Sequence, residues 1–161
     1  MGSIKTNAIR LLDGQKIEYE LFEYDAPEGF LDGVSVAQAT GKEPESVFKT
    51  LVTVGASKEH YVFCIPVAEE LDLKKAAKAA GEKKVEMILA RDITPVTGYI
   101  KGGCSPIGMK KKFKTFIHES SINYERICVS GGKVGLQLEI GTTDLLRITG
   151  AKVVGLTKAT D

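Results

Sequence analysis

The feature that most constrains the fold is a pair of apolar runs, Phe48–Val54 and Tyr61–Pro66, joined by Gly55-Ala56-Ser57-Lys58-Glu59-His60. Two strand-length runs with a glycine-opened connection predict an antiparallel hairpin. A second hairpin is predicted where Arg126–Val129 and Val134–Ile140 flank Ser130-Gly131-Gly132-Lys133. Ile17–Tyr24 alternates, with Ile17, Tyr19 and Leu21 on one face, and reads as another strand. Shorter strands are expected at Lys84–Met87, Lys114–His118 and Ala151–Leu156.

Short helices lie between these strands. Thr6 is placed to cap a helix through Leu12 that Gly14 stops. Ser35–Thr40 is a helix ended by Gly41, and Pro44 starts a further turn. Asp72 caps Leu73–Ala80, a stretch of strong helix formers closed by Gly81. Ala90–Thr94 is one helical turn, and Thr142 or Thr143 caps a helix to Ile148 before Gly150. Gly98–Gly108, with four glycines and Pro106, is a loop with a demanding backbone, and Asp25–Gly33 is a second loop. Short helices interleaved with hairpin-connected strands predict an α/β chain of the α+β type. Its sheet should be mixed and mainly antiparallel rather than doubly wound and parallel.

The 161 residues suit a single domain spanning 1–161, and no linker or repeat divides them. A net charge of +1 removes any global pull towards nucleic acid or membrane, so nucleic-acid contact requires a local patch. The longest apolar run, Tyr61–Ala68, is far below the ~20 residues of a membrane span and reads as a buried strand. Met1–Thr6 lacks the blocks of a signal peptide. The three cysteines, Cys64, Cys104 and Cys128, are scattered and odd in number, which suits a reducing, cytoplasmic setting. With His60 and His118 as the only histidines and no zinc spacing, neither metal nor cofactor is expected.

Lys49 stands out because it interrupts the apolar strand Val47-Phe48-Lys49-Thr50-Leu51-Val52. A lysine there either snorkels at a strand end or supplies a cation to a site. The loop Gly102-Gly103-Cys104-Ser105-Pro106-Ile107-Gly108 offers a thiol with no histidine placed to activate it. Its backbone instead suggests N–H groups turned towards an anion or carbonyl oxygen. It lacks the Lys-Ser/Thr ending of a nucleotide P-loop. Lys110, Lys111 and Lys112, close to this loop, are either a solvated face or a phosphate-backbone contact.

Several runs together resemble the YbaK/EbsC family: Phe48-Lys49-Thr50-Leu51, Leu73-Lys74-Lys75-Ala76-Ala77-Lys78, Lys83-Lys84-Val85-Glu86-Met87, Thr97–Gly108, and Val129-Ser130-Gly131-Gly132-Lys133. The resemblance covers about Asn7 to Val154, with Asp25–Gly33 least matched. That family comprises Cys-tRNA(Pro) deacylases of the prolyl-tRNA-synthetase editing-domain superfamily. It implies a barrel-like sheet wrapped by short helices, the aminoacyl-tRNA synthetase-associated domain fold, with a cleft for the 3′ end of aminoacyl-tRNA. It also implies a catalytic set of Lys49 with Gly102, Gly103, Ser105, Pro106 and Gly108. Tyr24, Phe30, Thr50 and Asp144 would contact the substrate, and Lys110, Lys111 and Lys112 the tRNA.

The resemblance further implies that no enzyme base is needed, because the cysteinyl thiol attacks its own ester and leaves as a thiolactone. The expected partners are tRNA and, for specificity, prolyl-tRNA synthetase; DNA is not expected. Two alternatives remain open on the sequence. One is deacylation of another small aminoacyl-tRNA such as Ala-tRNA(Pro). The other is a regulator that binds aminoacyl-tRNA or nucleotide without turnover.

Overall fold

The computed structural model describes residues 5–26 and 32–158. In chain order the elements are α1 (Asn7–Gly14), β1 (Tyr19–Glu23), α2 (Gly33–Ala39), β2 (Phe48–Gly55), β3 (His60–Pro66), α3 (Leu73–Ala80) and β4 (Val85–Met87). They continue with α4 (Ile93–Thr97), β5 (Lys114–His118), β6 (Arg126–Ser130), β7 (Leu136–Gly141), α5 (Thr142–Thr149) and β8 (Lys152–Val154). Short 3-10 turns occupy Pro44–Ser46, Ala90–Asp92 and Glu119–Asn123.

The described strands form two sheets, ordered β1-β7-β6 and β4-β2-β3-β5-β8. Four of the six strand pairings are antiparallel, and only β3-β5 and β5-β8 are parallel, so the sheets are mainly antiparallel as expected. The sheets meet through one parallel bridge, Val47 to Cys128. Backbone pairing among the described strands therefore yields two abutting sheets, not one closed barrel.

The main core fills the space between the sheets. Phe48, Val62, Cys64 and Ile117 face Ile127, Val129, Leu136, Leu138 and Ile140, and Ile9 and Leu12 of α1 with Leu145 of α5 complete it. The opposite face of the larger sheet presents Tyr61, Phe63, Ile65 and Phe116 to α3, where Ala76 and Ala77 are buried. Phe63 and Phe116 stack with ring centroids 5.2 Å apart. β3 is thus covered on both faces, which is why its sequence is continuously apolar rather than alternating. The caps of α3 follow the sequence: Asp72 accepts from the N–H groups of Lys74 and Lys75, and Gly81 closes the helix at φ +73°.

Three local expectations differ. β1 does not bury the Ile17, Tyr19, Leu21 face. Ile17 is buried before the strand begins, whereas Leu21 is 39% exposed. β1 is an edge strand paired only with β7, and its half-buried Phe22 carries the Lys42 ammonium 4.4 Å above its ring. At α5 neither threonine caps the helix; the cap is Gly141, and Thr142 Oγ1 donates to the Tyr124 carbonyl at 2.6 Å. The turn expected at Ala90–Thr94 extends to Thr97, because Pro95 falls in the first turn of α4, where its missing N–H costs nothing.

Candidate functional site

The parallel bridge between Val47 and Cys128 positions the site. Past that bridge β2 and β6 diverge, and a cleft of about 310 Å³ opens between Phe48–Leu51 on one side and Val129 and Ser130 on the other. β4 covers the same edge of β2 only from Thr53 to Gly55. Among the described residues, the lysine-bearing half of β2 is therefore left without a strand partner on the cleft side. Gly102 and Cys104 form a second wall, Asp32, Gly33 and Val36 at the start of α2 a third, and Tyr24 stands at the mouth.

Lys49 lies half-buried in this cleft, opposite Ile65 in the β2-β3 ladder. Burial pulls its pKa below the usual lysine range, and the carboxylates of Glu70 and Glu69 offset part of that effect. No salt bridge among the described residues uses it. Lys49 is the one cationic side chain on the cleft lining among the described residues.

Two polar atoms on the lining have no hydrogen-bond partner among the described residues, Thr50 Oγ1 and Gln137 Oε1. Gln137 is 2% exposed, and its Nε2 donates to Thr40 Oγ1 at 2.8 Å. Thr40 in turn donates to the Val36 carbonyl at 2.8 Å, so its hydroxyl can only accept from the glutamine. The amide is thereby fixed with its oxygen as the free end. Both atoms are enclosed, as are the equally unpaired hydroxyls of Ser120 and Ser121 outside the cleft, so they are polar groups buried beneath the cleft surface. Asp32, the one carboxylate on the lining among the described residues, caps α2 by accepting from the Ser35 N–H at 3.0 Å and the Ser35 hydroxyl at 2.9 Å. The Ser35 N–H, then its hydroxyl, hold that carboxyl below the usual range.

The structure brings together only part of the predicted set. Tyr24, Lys49, Thr50 and Gly102 line the cleft. Gly103 is buried behind them: its N–H donates to the Ile100 carbonyl at 3.0 Å, and a Cβ there would lie 2.8 Å from the backbone of Lys133. Ser105 is fully buried, and its Oγ accepts from the Ile107 N–H at 3.2 Å. Pro106 and Gly108, with Lys111 and Lys112, line a different cavity of about 240 Å³ behind the loop. Asp144 is on the surface of α5, paired with Arg147 at 2.9 Å, and does not touch the cleft. Lys110 is exposed outside the cleft, and Phe30 lies outside the described residues.

Cys104 reaches the cleft, but burial pushes its thiol up to about 11, which leaves almost no thiolate near neutral pH. Neither histidine is on the lining. His118 Nδ1 accepts from the Leu156 N–H, and His60 packs edge-on against Phe113. The sequence reading missed Asp32, Ser130 and Gln137. Gln137 carried the same signal as Lys49, a polar residue inside an apolar strand, and Ser130 opened the glycine pair of the second hairpin.

Among the described residues the cleft lining thus carries one cation and no nucleophile-base pair. Residues 32–148 match the aminoacyl-tRNA editing domain. The chain belongs to that family. This editing domain is 46% identical over 153 residues, 95% of the chain and 93% of the relative, to an Enterococcus faecalis protein that carries the name Cys-tRNA(Pro)/Cys-tRNA(Cys) deacylase EbsC. Among solved structures, one described as a trans-editing enzyme for prolyl tRNA synthetase superposes with a TM-score of 0.82 at 25% identity, covering 98% of this chain and all of that one. A scaffold from epitope grafting by computational design shares the fold at a TM-score of 0.85 and 24% identity, covering 98% of this chain and 100% of its own.

Proposed function

We propose that the chain, as one editing domain over residues 1–161, deacylates cysteine wrongly attached to tRNA(Pro), and also acts on Cys-tRNA(Cys). The observation that carries this reading is the pairing of a half-buried, unpaired Lys49 with a cleft that offers no activated nucleophile. The substrate must then bring its own. The cysteinyl thiol gives up its proton, its sulfur attacks the ester carbonyl, and the bond from carbonyl carbon to ribose oxygen breaks. The ribose oxygen takes up a proton, leaving free tRNA and a thiolactone that water later opens. The enzyme's part is to hold the ester so that this ring closure is favoured.

Lys49 provides a compact cation for the terminal phosphate and 3′-ribose region. The backbone of Gly102 and Cys104, the loop residues that face the cleft, orients the ester carbonyl. The Gly103 N–H is committed to Ile100 and takes no part. Tyr24 packs on the terminal adenine. A cleft of this size holds an aminoacyl-adenosine end but not the tRNA body. Reading of tRNA identity then falls to prolyl-tRNA synthetase acting alongside in the cytoplasm.

The test is single-turnover deacylation of cysteinyl, seryl and alanyl tRNA(Pro) at saturating enzyme. Ser and Cys differ by one atom, which a pocket separates poorly, whereas a hydroxyl is far less ionised than a thiol titrating near ~8.5. The cysteinyl ester should react much faster than the seryl ester at similar affinity. Equal rates for all three would replace thiol attack with water attack, and fastest turnover of alanyl tRNA would make this an alanine editor. Binding without any turnover would leave a regulator.

A further inference from the structure

On the editing function proposed above, the terminal nucleotide enters the cleft and the rest of the acceptor end leaves over its rim. Two tight turns meet at the cleft's rim. In the first, the Gly103 N–H donates to the Ile100 carbonyl, and Gly102 takes φ +85°. Those are the features of a type II turn with Lys101 at its second position, where a side chain projects outward. In the second, the hairpin tip after β6, the Gly131 N–H donates to the Leu136 carbonyl and the Leu136 N–H to the Lys133 carbonyl. The turns are locked together: a Cβ on Gly103 would sit 2.8 Å from Lys133 Cα and carbonyl carbon. Gly102 alone separates Lys101 from that contact, at most about 7 Å along the chain.

Both lysines are exposed, and neither joins a salt bridge among the described residues. The segments that carry them, 98–118 and 127–138, contain no aspartate or glutamate. Each lysine is also tied to the cleft. Lys101 precedes the lining residue Gly102, and Lys133 lies in an outer groove that shares Tyr24 with the cleft mouth. The same groove also carries Glu23 and Asp25, so Lys133 is its one cation among the described residues.

We propose that Lys101 and Lys133, carried by two turns in backbone contact, form a phosphate clamp for the nucleotides immediately 5′ of the aminoacylated adenosine. The clamp rests on the editing function proposed above. It replaces Lys111 and Lys112, which border the cavity behind the loop, as the contact nearest the site.

The experiment compares wild type, Lys101→Gln/Lys133→Gln and Lys110→Gln/Lys111→Gln/Lys112→Gln, each first checked for an unchanged melting temperature. Binding of an uncharged CCA-ended minihelix is titrated across salt, independently of turnover. Single-turnover rates are measured on Cys-tRNA(Pro) and on a 3′-cysteinyl ester of AMP, which lacks the upstream phosphates. The double variant should weaken minihelix binding about tenfold and lower the salt slope by about 1.4, the value for two single-strand contacts. Its saturated rate on Cys-tRNA(Pro) and its reaction with cysteinyl-AMP should stay within about twofold of wild type. An unchanged minihelix affinity and slope, an equal loss on cysteinyl-AMP, or a larger loss in the triple variant would overturn the clamp. A wild-type protein that binds the minihelix through these lysines yet deacylates neither ester would instead overturn the editing function and leave the clamp standing.

Discussion

The cleft in front of the segment 98–108 and the cavity behind it share a wall but treat polar groups in opposite ways. In front, Lys49 has no ion-pair partner, and Thr50 Oγ1 and Gln137 Oε1 have no hydrogen-bond partners among the described residues. Behind, Leu11, Met109, Phe113 and Ile148 supply an apolar lining, and the hydroxyls are satisfied. Thr115 donates to the Phe113 carbonyl at 3.0 Å and Thr149 to the Leu145 carbonyl at 2.7 Å. A cavity whose buried hydroxyls are all paired and whose lysines reach solvent is a packing gap; one with an unpaired, half-buried cation on its lining awaits a ligand. The glycines divide the same way. Gly102 borders the cleft, while Gly108 exists to let the loop touch the start of α1.

Substitutions on the two sides should separate chemistry from stability. The largest effect is expected in front. Lys49→Ala should lower kcat/KM for Cys-tRNA(Pro) at least a hundredfold, about 2.7 kcal/mol of barrier, with circular dichroism and melting unchanged. Because burial lowers the Lys49 pKa, the charged form is lost at a lower pH than for an ordinary lysine. In wild type, kcat/KM should therefore fall on the alkaline side before a normal lysine would titrate, and a bound phosphate should shift that limb of kcat upward. A near-normal rate in folded Lys49→Ala protein would erase the distinction between the two cavities.

Behind the loop the expected effect is on stability. Gly108 has φ +74°, and a Cβ would lie 2.9 Å from the carbonyl carbon and oxygen of Asn7. Gly108→Ala should cost about 1–3 kcal/mol from backbone strain, with more from the overlap. That corresponds to a fall of several degrees in melting temperature. Turnover per folded molecule should remain near wild type. A large loss of turnover without loss of stability would move Gly108 into the active site.

The smallest effects sharpen the boundary. Cys104→Ser should change single-turnover rates less than threefold, since the buried thiol is protonated at working pH. A hundredfold loss would restore an enzyme-thiol mechanism. Asp144→Asn should leave turnover unchanged and alter stability by no more than a few tenths of a kcal/mol, as for an exposed helical pair.

Much of the fold was legible in the chain. The Asp72 and Gly81 caps and the turns of both hairpins depend on neighbours within about ten residues, so local chemistry fixes them, and the Tyr61–Pro66 strand shows itself as a continuous apolar run. Lys49 could be picked out because a cation in an apolar strand conflicts with its surroundings, and such conflicts concentrate at sites. What the sequence could not decide was which side of a wall each residue faces. Gly102, Gly103, Ser105, Pro106 and Gly108 form one continuous motif, yet only Gly102 reaches the cleft, because the chain folds Ser105 inward and lays Gly108 on α1. Asp144 read as a site carboxylate but points to solvent from α5, whereas Asp32 and Gln137 reach the cleft from α2 and β7. The cleft itself arises where two strands from different sheets, 81 residues apart in sequence, touch once at Val47 and Cys128 and then part. No local pattern encodes that divergence; it follows from how two twisted sheets pack across a shared core.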